Sequence, residues 1–388
     1  MKVKLGDIFE IGSGGTPVKS HPEYYNGDIP WVKTGDLKSE YLFEVEDFIT
    51  EKWLENSSAK MYEKDTVLIA MYGATIGATS ILKMSACTNQ ACAAFKKNEK
   101  VIPEYLYYFL KSKKEKFVKD GVGGAQPNIS VGYLKKTEME LLLLKEQRKI
   151  VDILDRISEM VLKRNQEIQL LDDLIKARFV EMFGDPIQNP KGWDMPLIEE
   201  VVANEKNALK AGPFGSALKK EYYVTSGYKI YGQEQVISGD CTFGDYYIDE
   251  ERYKSLENCA VQAGDVLISL VGTYGKLLIM PEVFEPGIIN PRLMKITFDK
   301  EKINPYYFKF FFQSESLKRA LSENTHGGTM DILNLGIVRK IAMPLPPLKL
   351  QNEFADFVNQ IDKSKVAVQK ALDETQMLFD SLMQKYFV

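Results

Sequence analysis

Asn304-Pro305-Tyr306-Tyr307 is the string in this chain that comes nearest to a catalytic motif. An asparagine followed by proline and an aromatic ring can hold an exocyclic amine, because the side-chain amide and the prolyl carbonyl both accept from it. A second copy of the segment argues against that use: Ile102-Pro103-Glu104-Tyr105 keeps the proline and an aromatic ring but has no asparagine. The shared requirement is a proline at a helix start, where its missing N–H costs nothing, and Asn304 is expected to cap the helix. Other catalytic patterns are absent. Gly272-Thr273-Tyr274-Gly275-Lys276 is too short for a phosphate-cradling loop, and Gly12-Ser13-Gly14-Gly15 lacks the third glycine of a dinucleotide fingerprint. His21 and His326 are the only histidines and stand far apart, so a histidine-based triad has no support. Cys87, Cys92, Cys241 and Cys259 form no Cys-x-x-Cys pair. No metal site is expected from them, and they read as reduced, mostly buried thiols. Paired carboxylates are plentiful and unspecific.

Charge gives no direct answer either. With 50 basic and 54 acidic side chains the 388-residue chain carries −4, which is awkward for a free-standing nucleic-acid binder. Lys111, Lys113, Lys114, Lys116 and Lys119 cluster, opposed only by Glu115 and Asp120, and Lys135-Lys136, Lys219-Lys220, Lys318-Arg319 and Arg339-Lys340 form smaller foci. The commoner meaning of such a run is a solvated helix face. The longest aliphatic run, Leu141 to Leu144, is far short of a membrane span, and Met1 to Gly15 has no signal-peptide core. A cytoplasmic protein with no membrane partner is expected.

The elements that must position any site are written twice, about 200 residues apart. Gly12-Ser13-Gly14-Gly15-Thr16 matches Gly212-Pro213-Phe214-Gly215-Ser216, and the strand-like run from Val67 to Gly73 matches Val266 to Gly272. Pro103-Glu104-Tyr105 matches Pro305-Tyr306-Tyr307, Gly123-Gly124 matches Gly327-Gly328, and Leu144-Lys145-Glu146-Gln147 matches Leu348-Lys349-Leu350-Gln351. Order and spacing hold while most side chains differ, as suits one kind of recognition performed on two targets. Asp65 to Met71 reads as a buried strand. Tyr105 to Phe117 and Tyr306 to Leu321 read as helices, and Asn26-Gly27-Asp28 and Ser238-Gly239-Asp240 as turns.

Each copy ends in a long helix. In the first, Ile150, Leu154, Ile157, Val161, Arg164, Ile168, Leu171, Ile175, Arg178 and Met182 follow one another by alternating steps of four and three. In the second, Phe354, Val358, Ile361, Lys365, Val368, Leu372, Thr375, Phe379, Leu382 and Tyr386 do the same. A sustained 3.5-residue seam means a left-handed coiled coil. Its simplest partner is the other copy, antiparallel, over about 48 Å. Separate core helices, one per domain, are the alternative, but these would drift with the 3.6 period. Gly184 and Pro186 stop the first helix, and Pro346-Pro347 precede the second.

Two mixed domains alternating with two heptad helices resemble the specificity subunit of a type I restriction–modification enzyme. The resemblance covers essentially the whole chain. It is carried by Gly12-Ser13-Gly14-Gly15-Thr16-Pro17, by Pro30-Trp31-Val32-Lys33-Thr34-Gly35-Asp36 and by Gly123 to Ser130. The most specific segment is Glu181-Met182-Phe183-Gly184-Asp185-Pro186, followed by Asn189-Pro190-Lys191-Gly192-Trp193. The fold class implied is α+β: two mixed α/β target-recognition domains, related by an internal pseudo-twofold repeat, joined by two long helices forming an antiparallel coiled coil. The domains expected are residues 1–144 and 185–346, with the helices at 145–184 and 347–388. The resemblance implies a non-catalytic reader of double-stranded DNA that docks two methyltransferase subunits and, through them, restriction/translocase subunits. AdoMet, Mg and ATP would belong to those partners.

Base-edge reading needs polar side chains on loops or helix ends. Lys33 and Gln233, and Thr16 and Ser216, stand at matching places when the copies are counted along the chain. Tyr72, Thr75, Gln90, Gln126 and Asn128 are further candidates in the first domain, and Lys219, Tyr274, Arg292 and Thr329 in the second. Ordinary turn or hydrogen-bonding roles compete with reading at each. Two other classes compete for the chain as a whole. A self-sufficient methyltransferase or nuclease needs a glycine motif or an acidic metal set that is not found, and a coiled-coil scaffold leaves the two divergent domains unexplained.

Overall fold

The computed structural model describes residues 1–57, 59–121, 128–214, 217–271, 275–323 and 333–388. The chain forms two compact units, Met1–Asn165 with Gln369–Val388, and Gln166–Val368. The division falls inside both long helices, Leu144–Phe183 and Leu348–Phe387, so each unit holds a segment of each.

In the first unit, a five-stranded sheet runs in the order Ile11–Ser13, Cys92–Phe95, Val67–Ala70, Thr79–Leu82, Tyr41–Leu42. Its first four strands pair antiparallel and the last pairs parallel. A second sheet runs Phe48–Ile49, Tyr25–Val32, Cys87–Thr88, with the last pair parallel. Val67–Ala70 is apolar without a break because both its faces are covered: Val67 and Ile69 join the core under helix Pro103–Ser112, while Leu68 and Ala70 join a separate core on the other side.

The second unit repeats this plan. Its sheet runs Leu209–Ala211, Leu293–Ile296, Val266–Ser269, Leu277–Ile279, all antiparallel. The companion sheet runs Tyr247–Ile248, Tyr228–Tyr231, Gly287–Ile289, again with its last pair parallel. Val266 and Ile268 face one core and Leu267 the other. Mixed α/β content built twice on one strand order is the fold class expected from the repeat.

Within each unit the two long-helix segments pair antiparallel. In the first, Leu154 and Ile157 share a core with Phe379, Met383 and Phe387, and Arg164 donates to the Ala371 carbonyl and the Thr375 hydroxyl. In the second, Phe179 and Phe183 pack on Phe354 with ring centroids 5.5 Å apart in each case, and Lys365 meets Asp172 at 2.6 Å. The polar interruptions Arg164, Thr375 and Lys365 therefore have partners on the opposite segment. Among the seam positions Ile150, Leu154, Ile157, Ile175, Phe354, Val358, Leu372 and Phe379 are buried; Val161, Ile168, Leu171, Ile361, Val368 and Leu382 are half-buried. Val151, Phe179, Phe183, Ala355, Met383 and Phe387 lie off the counted seam and are buried too. Near its ends each helix is covered by its own unit's core as well as by the opposite segment, so a wider stripe is buried there.

A fully buried glutamine ties each helix start to its unit. Gln351 accepts from the Asn304 backbone N–H at 2.9 Å and donates to the carbonyls of Lys302 and Pro346 at 2.9 and 2.8 Å. Gln147 does the same for Ile102, Lys100 and Leu142 at 2.9 Å each. Replacing Gln351 by leucine strands three backbone groups, of which the Pro346 carbonyl is buried and the other two part-buried, and is expected to cost roughly 2–4 kcal/mol. Hydrogen exchange of peptides from residues 300–360 checks it; unchanged protection would refute the anchoring role.

Three local expectations are corrected. The helices expected at Tyr105–Phe117 and Tyr306–Leu321 are each two: Pro103–Ser112 then Lys114–Asp120, and Pro305–Phe312 then Glu315–Glu323. The second break has its own cap, the Ser314 hydroxyl accepting from the Leu317 N–H. Asn26-Gly27-Asp28 is not a free turn. It lies within the strand Tyr25–Val32, where Asn26 takes φ 56° and the register slips between Tyr25 and Ile29.

Candidate functional site

In both units the same backbone joint gathers the loops that follow the central strands. In the first, the Asn89 N–H donates to the Val32 carbonyl at 2.9 Å, and its side-chain oxygen accepts from the Ala91 N–H at 3.1 Å. The Met71 N–H then donates to the Ala91 carbonyl at 2.8 Å, and the Ile129 N–H to the Met71 carbonyl at 3.0 Å. In the second, Asn290 donates to the Tyr231 carbonyl at 2.8 Å and accepts from the Arg292 N–H at 2.9 Å. The Leu270 N–H donates to the Arg292 carbonyl at 2.9 Å, and the Leu333 N–H to the Leu270 carbonyl at 3.1 Å. Asn89 and Asn290 are thus the organising residues. Neither was a sequence candidate, although an asparagine stands ahead of a buried strand at this place in both copies.

The joint also needs a glycine. A Cβ on Gly14 would lie 1.6 Å from the Thr88 carbonyl oxygen, and one on Gly212 1.9 Å from that of Asn290. The backbones pass too close for any side chain. This corrects the pairing of Gly12 with Gly212. Ser13 pairs with Ala93 and Ala211 with Met294 at equivalent rungs, so Gly14 is the counterpart of Gly212. Likewise Val32 and Tyr231 accept the equivalent bonds, which makes Gly232 the counterpart of Lys33 and Thr34 that of Gln233. Lys33 donates its N–H to Asp36 and Gly232 to Gln235, at 2.7 and 2.8 Å, which gives the same offset.

On the first joint, the Thr16 hydroxyl donates to the Gln90 side-chain oxygen, and both residues are exposed. Gly15, next to Thr16, donates to the Thr88 carbonyl and accepts from the Trp31 indole, each at 3.0 Å. Tyr72 and Asn128 form a bridge, and the Thr75 hydroxyl donates to the Tyr72 carbonyl at 3.2 Å. Five candidates therefore sit on loops tied to one another by backbone bonds. Lys33 is half-buried, and its ammonium pairs with Asp47 and lies 5.7 Å from the Trp31 ring centroid.

On the second joint, Gln233 donates its amide to the Ser269 hydroxyl at 2.8 Å and to the Val271 carbonyl, and accepts from the Arg292 guanidinium at 3.2 Å. Lys219 is exposed, with its carbonyl accepting from the Tyr222 N–H at 3.0 Å. The described contacts do not join it to Gln233 and Arg292. Beside it, Arg252 stacks 3.6 Å over the Tyr222 ring, a pair that sequence reading missed. Gln126, Ser216, Tyr274 and Thr329 lie outside the described residues.

Asn304 is occupied as a cap. Its oxygen accepts from the Tyr306 N–H and its amide donates to Asn352, both at 2.9 Å. Both ends of the amide are engaged, as a structural role requires.

The comparisons with known proteins agree with this architecture. The model of the type I restriction modification DNA specificity domain matches residues 1–171 and 190–375. The type I restriction enzyme MjaIX specificity subunit of Methanocaldococcus jannaschii is 24% identical over 98% of this chain and 91% of its own length. The EcoR124I/EcoR124II specificity subunit of Escherichia coli is 27% identical over 40% of each chain. Among solved structures, a chain from work on complex assembly and conformational transition of the type I R-M system superposes with TM-score 0.65 at 17% identity, covering 100% of this chain and 97% of the other. The S subunit from M. genitalium superposes at 0.55 and 16% identity, covering 100% and 96%.

Proposed function

The chain belongs to the type I restriction modification DNA specificity family, and from that premise we propose that each unit reads one half of a bipartite, asymmetric DNA site. The observation that carries this is the joint built twice. The Asn89 and Asn290 frameworks repeat bond for bond, while the exposed or half-buried side chains mounted on them differ: Thr16, Gln90, Tyr72, Thr75 and Asn128 on one, Gln233 and Arg292 on the other. A constant backbone with divergent polar groups is what reading two different base sequences needs.

Two readers in one chain answer an energetic problem. A half-site of a few base pairs, at about 1–3 kcal/mol per correct pair, cannot single out a site in a genome. Linking the readers makes the second contact intramolecular and sums their discrimination. In this reading residues 1–144 and 185–346 are the recognition domains. The helices 145–184 and 347–388 set the gap between half-sites and dock two methyltransferase subunits. Leu162, Leu170, Val366 and Met377 support docking, since all four are more than half exposed on those helices. The chain itself performs no catalysis; AdoMet, Mg and ATP are bound by the methyltransferase and restriction subunits, in the cytoplasm. Partners also supply phosphate neutralisation that a chain of net charge −4 lacks.

The test is co-expression with the adjacent methyltransferase gene product in a methylation-free bacterial host, followed by genome-wide sequencing of modified bases. A split, asymmetric motif that vanishes when this chain is omitted is the expected result. Absence of any motif from a verifiably assembled complex would favour a coiled-coil scaffold, and methylation by this chain alone would return Asn304-Pro305-Tyr306-Tyr307 to a catalytic role.

A further inference from the structure

Arg292 and Gln233 form a preset donor fork on the second joint, and we propose that this fork reads a guanine in the half-site taken by the second unit. The inference rests on the DNA-reading assignment above. Three constraints aim the guanidinium. The Arg292 N–H is held by the Asn290 side chain at 2.9 Å, and the Arg292 carbonyl accepts from the Leu270 N–H at 2.9 Å, so the backbone is pinned on both sides. One guanidinium nitrogen, Nη1, donates to Gln233 at 3.2 Å. Gln233 is itself fixed, because its amide donates to the Ser269 hydroxyl and the Val271 carbonyl.

That pattern selects the base. Gln233 has its amide nitrogen tied to the protein and so cannot offer the paired donor and acceptor that adenine requires. Arg292 keeps Nη2 and Nε beyond its bond to Gln233, and Arg292 is exposed. Two parallel N–H donors match the O6 and N7 acceptors that guanine alone presents side by side in the major groove. The first unit carries Ala91 where the second has Arg292, and Thr34 where it has Gln233, so its half-site is read by other means. The fork is thus one source of the asymmetry between halves.

The experiment uses the complex assembled with its methyltransferase partner and duplexes carrying the mapped motif. Exchanging residues 1–144 for those of another family member identifies the half-site that belongs to the second unit. Each guanine of that half-site, on either strand, is replaced in turn by 7-deazaguanine, which removes the N7 acceptor and leaves pairing intact. Wild-type complex is expected to lose binding roughly three- to tenfold at one position. Arg292→Ala, and Arg292→Met which keeps the stem without donors, are expected to lose that sensitivity while the first half-site is read unchanged. A half-site without a G·C pair, or a sensitive guanine that stays equally sensitive in both variants, overturns the proposal. So does a loss that is uniform across sequences with a shallower salt slope, which would mark Arg292 as a phosphate contact. A complex that yields no motif fails at the earlier DNA-reading assignment, which separates the two failures.

Discussion

Asp265→Asn is expected to destabilise the second unit by about 3–5 kcal/mol, the cost of leaving one member of a buried ion pair without its counter-charge. Asp265 is fully buried, and its carboxylate meets the Lys295 ammonium at 3.2 Å, accepts from the Gln262 N–H at 2.9 Å and takes the Thr297 hydroxyl. Burial pushes its carboxyl above the ordinary carboxylate range, while Lys295 and Thr297 pull against that shift. Asparagine keeps the hydrogen-bonding shape and strands the lysine in the sheet. The first unit shows the alternative solution. Leu267 pairs with Lys295 on the same rung where Leu68 pairs with Ala94, and Thr66, buried, precedes Val67 as Asp265 precedes Val266. The double change Asp265→Thr with Lys295→Ala therefore copies a neutral pair the fold already tolerates. It is expected to recover most of the loss, since buried ion pairs contribute little over well-packed neutral replacements. Hydrogen exchange of peptides from residues 262–298 separates this unit from the first. A single variant within about 1 kcal/mol of the parent would show that the pair is not desolvated as its burial implies.

Adding one heptad to each long helix, between Asn165 and Gln166 and between Val368 and Gln369, is expected to widen the gap between the half-sites by about three base pairs. Seven residues of α-helix add about 10.5 Å, and base pairs stack about 3.4 Å apart. Seven residues also make two turns of a 3.5-residue seam, so the apolar stripe stays on the partner's side. Placing the same insertion in both helices preserves the pairings of Arg164 with Thr375 and of Asp172 with Lys365. The letters of each half-site should not change, because neither joint is touched. A four-residue insertion makes the contrast, since it turns the seam away and is expected to abolish methylation. The motif recovered from the co-expression host reports both. An unchanged gap in the heptad variant would remove the helices from the role of ruler.

Much of the architecture is legible in the residues because its causes are local. A 3.5-residue apolar stripe, a proline at a helix start and an unbroken apolar run state their element within a few turns of chain. The order of these signals repeats, which determined the twofold plan, the two long helices and the family resemblance. The site was legible only in part. Counting along the chain pairs Gly12 with Gly212 and Lys33 with Gln233, but hydrogen bonding to distant strands sets the register and pairs Gly14 with Gly212 and Lys33 with Gly232. One- and two-residue slips are invisible to linear counting, yet each reassigns which side chain occupies a position. Where charged and polar ends point is a tertiary matter as well. Lys33 turns to Asp47, Gln233 to Arg292 and Asn304 to Asn352, each toward a partner many residues away. The sequence by itself determined the repeat and the helices, since periodicity and order survive divergence, and its motifs carried the resemblance to the family. The tertiary structure alone decided which side chains share a joint, because that depends on contacts between segments that no local pattern records.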